Sequence, residues 1–89
     1  MDIDRLTEVV FVPGMTGREE LIRSKIIEML PVGIEPDVDD MGNVTVEIGQ
    51  GTSSIAFAAH MDEIGLLITG IESDGKLSFK KIGGIPDEL

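Results

Sequence analysis

The sequence has no cysteine, no tryptophan and no tyrosine, and it has a single histidine. Without cysteine there is neither a disulfide framework nor a thiolate metal site, so a metal would have to be held by histidine, aspartate or glutamate. Three phenylalanines are its only aromatic residues, which leaves nothing resembling a sugar-binding aromatic platform. Basic residues are scarce as well: seven Lys and Arg stand against seventeen Asp and Glu, a formal net charge of -10. That balance argues against nucleic-acid binding, which needs a basic surface to displace counterions from phosphates, and against anionic membrane surfaces. No apolar run approaches the roughly 20 residues that span a bilayer, and the opening "MDIDRLTEVV" is acidic where a secretory signal is basic. A cytoplasmic location is the expectation.

What is present is the composition of a globular protein. Hydrophobic residues make up 42% of the chain and charged residues 27%, proportions that suit a folded domain rather than a disordered or fibrous one. At 89 residues the chain fits one small domain, which would bury about 60 to 65% of the surface its unfolded chain exposes. The acidic surplus fits a solvated surface or a local attraction for cations, and composition leaves both open.

Hydrophobic spacing divides the chain. Ile3, Leu6, Val9 and Val10 recur at helical intervals behind acidic residues, until Pro13 and Gly14 stop the run. The next segment opens "TGRE", with Thr16 as N-cap and Glu19 completing a capping box, and repeats Ile22, Ile26, Met29 and Leu30 on one face before Pro31. From Ile34 the period changes to two: Ile34, Pro36 and Val38, then Val44, Val46 and Ile48, joined by the turn "DDMGN". Pro36, lacking an N–H, points to an edge strand. "SIAFAA" then reads as a central strand covered on both faces, and "IGLLITGI" and "KLSFKKI" flank "ESDG" as a second hairpin. The expected fold class is α/β or α+β, with a mixed sheet and flanking helices. The edge of "KLSFKKI" is left without a neighbour, a hazard that native domains usually cover.

Chemistry concentrates in "IAFAAHMDEIG". His60 follows the apolar run, where α/β sheets gather active-site groups at the carboxyl ends of their strands. In extended backbone His60 and Asp62 project to the same side, so the carboxylate can accept a proton from one imidazole nitrogen and leave the other free for a metal. Met61 would face the core, and Glu63 is either a ligand or the start of the next element. By residue types alone the bland reading prevails, because a strand-end histidine is more often hydrogen-bonded or solvent-facing than a ligand. Ser53 and Ser54 lie on a loop with no triad context, and "GQGTS" lacks the lysine and helix of a phosphate-binding loop.

These residues also occur together elsewhere. "AAHMDEIGLLITGIESDGKLSFKKIGGI" resembles the segment around the first metal ligand of the two-metal aminopeptidases that form tetrahedral, dodecameric particles, described as deblocking or glutamyl aminopeptidases and formerly as endoglucanases. "PGMTGREE" and "DDMGNVTVEIG" extend the likeness upstream, in order and spacing, over almost the whole chain. The resemblance implies that His60 binds one of two zinc or cobalt ions and that Asp62, the catalytic assignment, orients His60. It implies a division into 1–62, the N-terminal part of a metallopeptidase catalytic domain, and 63–89, the start of an inserted β-barrel domain that mediates dimer contacts. It further implies a peptide substrate and a dimer-based homo-oligomer.

The bridging aspartate, the glutamate that acts as general base and the remaining ligands of such enzymes have no counterpart in this sequence, and Pro86 intervenes before Asp87 where the family carries an acid directly after Gly-Gly-Ile. A two-metal hydrolase needs both ions about 3.5 to 4 Å apart with a bridging water and a base. Three readings follow: the N-terminal part of a metallo-aminopeptidase, inactive alone; a stand-alone non-catalytic binding or assembly module; or a partner that pairs with full-length subunits.

Overall fold

The computed structural model describes residues 2–88. Two helices come first. Helix α1 spans Ile3–Val10 and α2 spans Glu20–Glu28. Asp2 caps α1, its side chain accepting from the Arg5 amide at 3.1 Å, and Asp4 in the first turn complements the positive end of the helix. The two helices are tied by an ion pair, Lys25 Nζ to Glu8 Oε2 at 2.9 Å, and by Arg5, whose guanidinium donates to the carbonyl of Met29 just past the end of α2. The apolar face expected for α2 is present: Ile22 is buried, and Ile26, Met29 and Leu30 are half-buried beside it.

The start of α2 differs from the expectation. The residue at its N-cap is Glu19, which makes no side-chain capping bond, and its carboxylate instead accepts from the Gly17 amide at 2.7 Å. Thr16 lies outside the helix, its hydroxyl committed elsewhere. A capping box is a local pattern in which the threonine oxygen would accept from a helix amide; the fold instead places Thr16 against a carboxylate, to which its hydroxyl donates.

Two antiparallel hairpins follow. In the first, β1 (Asp37–Val38) pairs with β2 (Val44–Thr45). Its turn is closed by Asp39, whose Oδ1 accepts from the amides of Met41 and Asn43, both at 2.9 Å, and whose Oδ2 accepts from the Asn43 side chain at 2.8 Å. Gly42 sits at φ +87, a conformation that side chains with a Cβ rarely adopt. The strands are shorter than the alternation suggested, and β1 begins just after Pro36. In the second hairpin, β3 (Gly65–Ile71) pairs with β4 (Leu77–Ile82), from Gly65↔Ile82 to Ile71↔Leu77, with a bulge between Ile68 and Gly70.

The mixed sheet is not formed. Among the described residues the strands make two separate two-stranded sheets, and the one parallel contact is an isolated bridge between Met15 and Glu63. "SIAFAA" is not a buried central strand either. Residues 53–60 have no regular secondary structure, and Ile55 and Phe57 are 85% and 95% exposed. A strand exists only through a neighbour's hydrogen bonds, and no strand among the described residues lies alongside. No helix among the described residues is long and apolar enough to cross a membrane.

Ile22 is the only buried apolar side chain among the described residues, and the loop at Gly14 closes over it. A Cβ built at Gly14 would lie 2.8 Å from Ile22 Cγ2 and 3.1 Å from its Cβ, and neither branch of a β-branched side chain can swing away cheaply. Gly14→Ala is therefore expected to destabilise the chain by about 1–3 kcal/mol, the usual cost of overpacking. Urea denaturation checks this; an unchanged midpoint would mean that the contact with Ile22 is not tight.

Candidate functional site

The loop at Gly14–Thr16 and the segment at Asp62–Glu63 meet edge to edge. The Glu63 amide donates to the Gly14 carbonyl at 2.8 Å and the Thr16 amide donates to the Glu63 carbonyl at 3.1 Å. The Glu63 carboxylate accepts from the Gly14 amide at 3.3 Å. Glu63 begins the next element: its backbone joins the loop to the following strand, and its side chain is turned back onto that loop.

His60 and Asp62 are brought together as their spacing predicts. His60 Nδ1 lies 3.0 Å from Asp62 Oδ1 and 3.0 Å from the Asp62 carbonyl oxygen. Both partners are acceptors, so Nδ1 carries the proton and donates, and in the neutral ring Nε2 keeps its lone pair. The setting differs from the expected strand end, since the residues before His60 form no strand. The imidazole is 85% exposed and the Asp62 side chain 36%. Met61 between them is half-buried.

Asp62 has a second partner. The Thr16 hydroxyl donates to its Oδ2 at 2.6 Å. Hydrogen bonding from Thr16 foremost, then from His60 and its charge, holds the Asp62 carboxyl below its ordinary value of 3.8, with partial desolvation opposing. Sequence reasoning missed Thr16 here because its own neighbourhood offered it a helix to cap.

Beside the pair is an open hollow of about 160 Å³, walled by Glu19 and Arg23 of the α2 region, by Met41 and Asn43 of the first turn, and by His60 and Asp62. Arg23 fixes one wall to the other, donating from Nη1 to the Gly42 carbonyl at 3.3 Å. Among the described residues no group of three or more His, Asp and Glu side chains converges to hold a metal ion. The donor chemistry of His60 nevertheless suits a single ligand: an oriented imidazole with Nε2 free and facing solvent.

Asp39, which builds the turn wall, is also held below its ordinary value of 3.8, chiefly by the Asn43 side chain, then by the amides of Asn43, Met41 and Gly42. A folded value lowered in this way means stabilisation that is present above the ordinary value and lost as pH falls through the folded one. The turn should therefore keep its hydrogen bonds below pH 3.8, and Asn43→Ala should move the titration of Asp39 upward toward the ordinary carboxylate value. NMR titration of the Asp39 carboxyl carbon decides; an unmoved midpoint would remove Asn43 as the cause.

Comparison with known proteins places the geometry in context. Residues 42–89 match the family described as M42 glutamyl aminopeptidase. The chain is 34% identical over 90 residues to the lysyl aminopeptidase of Pyrococcus furiosus, a match covering 99% of this chain and 26% of that protein. Among solved structures it superposes with a TM-score of 0.79 and 50% identity on the TET1 peptidase of Pyrococcus horikoshii, described as able to assemble into a tetrahedron or a large octahedral shell, over 96% of this chain and 26% of the other. A dodecamer of PhTET1 gives a TM-score of 0.83 and 49% identity over 100% of this chain and 27% of that one. The chain thus spans about a quarter of the length of the relatives it matches.

Proposed function

The chain belongs to the M42 glutamyl aminopeptidase family, and from that membership we propose that it is the N-terminal portion of a metal-dependent aminopeptidase that removes N-terminal residues from peptides. The observation that carries this is the His60–Asp62 pair, Nδ1 to Oδ1 at 3.0 Å, lying inside the matched residues. On this reading His60 holds one of two divalent ions, zinc or cobalt, through Nε2, and Asp62 fixes the tautomer that makes Nε2 available. The chemistry that ions held there would supply is activation of a water and polarisation of the scissile carbonyl. The remaining ligands and the general base would come from protein outside this sequence.

The same reading assigns 1–62 to the catalytic domain and 63–89 to the start of an inserted β-barrel that takes part in dimer contacts. The exposure pattern supports it. Ile55 and Phe57 on the irregular run, and Leu66, Leu67, Ile68 and Phe79 on the second hairpin, all face solvent to about half or more of their surface, on segments where further strands would pack. A cytoplasmic homo-oligomer is part of the proposal, in keeping with the assemblies of the solved neighbours.

Two outcomes are expected. The homogeneous 89-residue chain should show no turnover of aminoacyl-anilides with zinc or cobalt, since one imidazole and its supporting carboxylate do not make a two-metal site; metal-dependent cleavage by that chain would overturn the assignment. In a full-length protein carrying this segment, His60→Ala should lose one of two bound ions by elemental analysis and nearly all activity. Retention of both ions and full activity would end the role given to His60.

A further inference from the structure

Three polar groups stand in line: the Thr16 hydroxyl, the Asp62 carboxylate and the His60 imidazole. Oγ1 donates to Oδ2 at 2.6 Å, and Nδ1 donates to Oδ1 at 3.0 Å, so the two oxygens of one carboxylate are divided between two donors. A carboxylate held by the imidazole alone keeps a broad terminal torsion and solvent as a competing partner. A second short hydrogen bond from the opposite side fixes that torsion.

Thr16 is itself held. Its amide donates to the Glu63 carbonyl at 3.1 Å, and the neighbouring Glu63 amide donates to Gly14 at 2.8 Å. The hydroxyl is thus registered against the residue that follows Asp62, independently of the side chain it serves. The Glu63 carbonyl lies 3.4 Å from Oγ1 and is the weaker acceptor by distance. The helix start has no use for this hydroxyl, because Glu19 occupies the N-cap.

We propose that Thr16 is a positioning residue for His60: by fixing the Asp62 carboxylate it holds the imidazole as the Nδ1–H tautomer with Nε2 open. The catalytic meaning of this role rests on His60 being the metal ligand, but the hydrogen-bonded chain exists without metal, so the two can be tested apart.

His60 is the only histidine, so the imidazole nitrogens of the labelled, metal-free chain assign themselves in a nitrogen-15 NMR spectrum recorded with the ring neutral. The wild-type chain should show predominantly the Nδ1–H tautomer. Thr16→Val, which keeps the shape and loses the hydroxyl, should shift the ratio severalfold toward the Nε2–H form, and Thr16→Ser should restore it. The proposal is overturned if Thr16→Val keeps the wild-type ratio, or if Thr16→Ser behaves as the valine variant does. It is equally overturned if the valine variant's change is loss of α2 by circular dichroism, which is what a capping role would give. The other reading is tested apart, in a full-length protein carrying this segment: retention of both bound ions by His60→Ala counts against His60 as a ligand, while the tautomer ratio of the metal-free chain still decides the role of Thr16.

Discussion

Glu63 donates its amide to Gly14 and accepts from the amide of Thr16, and these two hydrogen bonds join parts of the chain 47 to 49 residues apart. Much depends on them. The intervening run at 53–60 has no regular structure that could act as a rigid arm, so the position of the second hairpin relative to the helices is set where Glu63 meets the loop. The same bridge lays Asp62 against Thr16 and closes Gly14 over Ile22, the one buried apolar side chain among the described residues. Structure and site therefore share a fastening, and a side chain added at Gly14 would disturb both.

That fastening serves an unusually open molecule. A compact monomer of this mass exposes about 5,100 Å², whereas this chain exposes 7828 Å², about half as much again. Its radius of gyration is 17.6 Å against roughly 12 Å for a compact domain of the same length. Apolar side chains carry much of the excess, on the irregular run and the β3–β4 hairpin and equally on the helices and first turn, as at Ile3, Phe11, Leu21 and Met41, surfaces that globular proteins normally cover. In the proposed reading those surfaces are interior ones, covered by the rest of a protein about four times as long.

How much of this the sequence revealed depends on how local each cause is. The helix at Ile3–Val10, the Asp39 turn and the β3–β4 hairpin with its turn at 72–76 were legible, because capping, glycine placement and alternation lie within a few residues of one another. The approach of His60 to Asp62 was legible for the same reason, an i to i+2 spacing in extended backbone. "SIAFAA" was not, because an apolar run is a strand only where other strands lie on either side of it, and its composition cannot state whether they do. Thr16 misled in the opposite way: its capping pattern is genuine as a pattern, and the carboxylate that claimed its hydroxyl lies 46 residues on.

The placement of His60 also explains why one oriented imidazole differs from a metal centre. On the proposed reading its Nε2 is the free nitrogen, yet the ring is largely in water, where hydration competes with any ligand bond and, among the described residues, no cluster of further donors shares the cost of dehydrating a cation. Affinity in such sites comes from several ligands already held in place, so that binding an ion orders little more of the protein. The chain supplies the orienting half of that requirement, the line from Thr16 through Asp62, and supplies it from loops tied by backbone hydrogen bonds rather than from a packed core. Such a line becomes useful once surrounding protein excludes water and contributes the other ligands, because a low dielectric strengthens each of its hydrogen bonds. On the proposed reading, the orientation of His60 is encoded within these 89 residues, and the strength of the site would be a property of what packs against them.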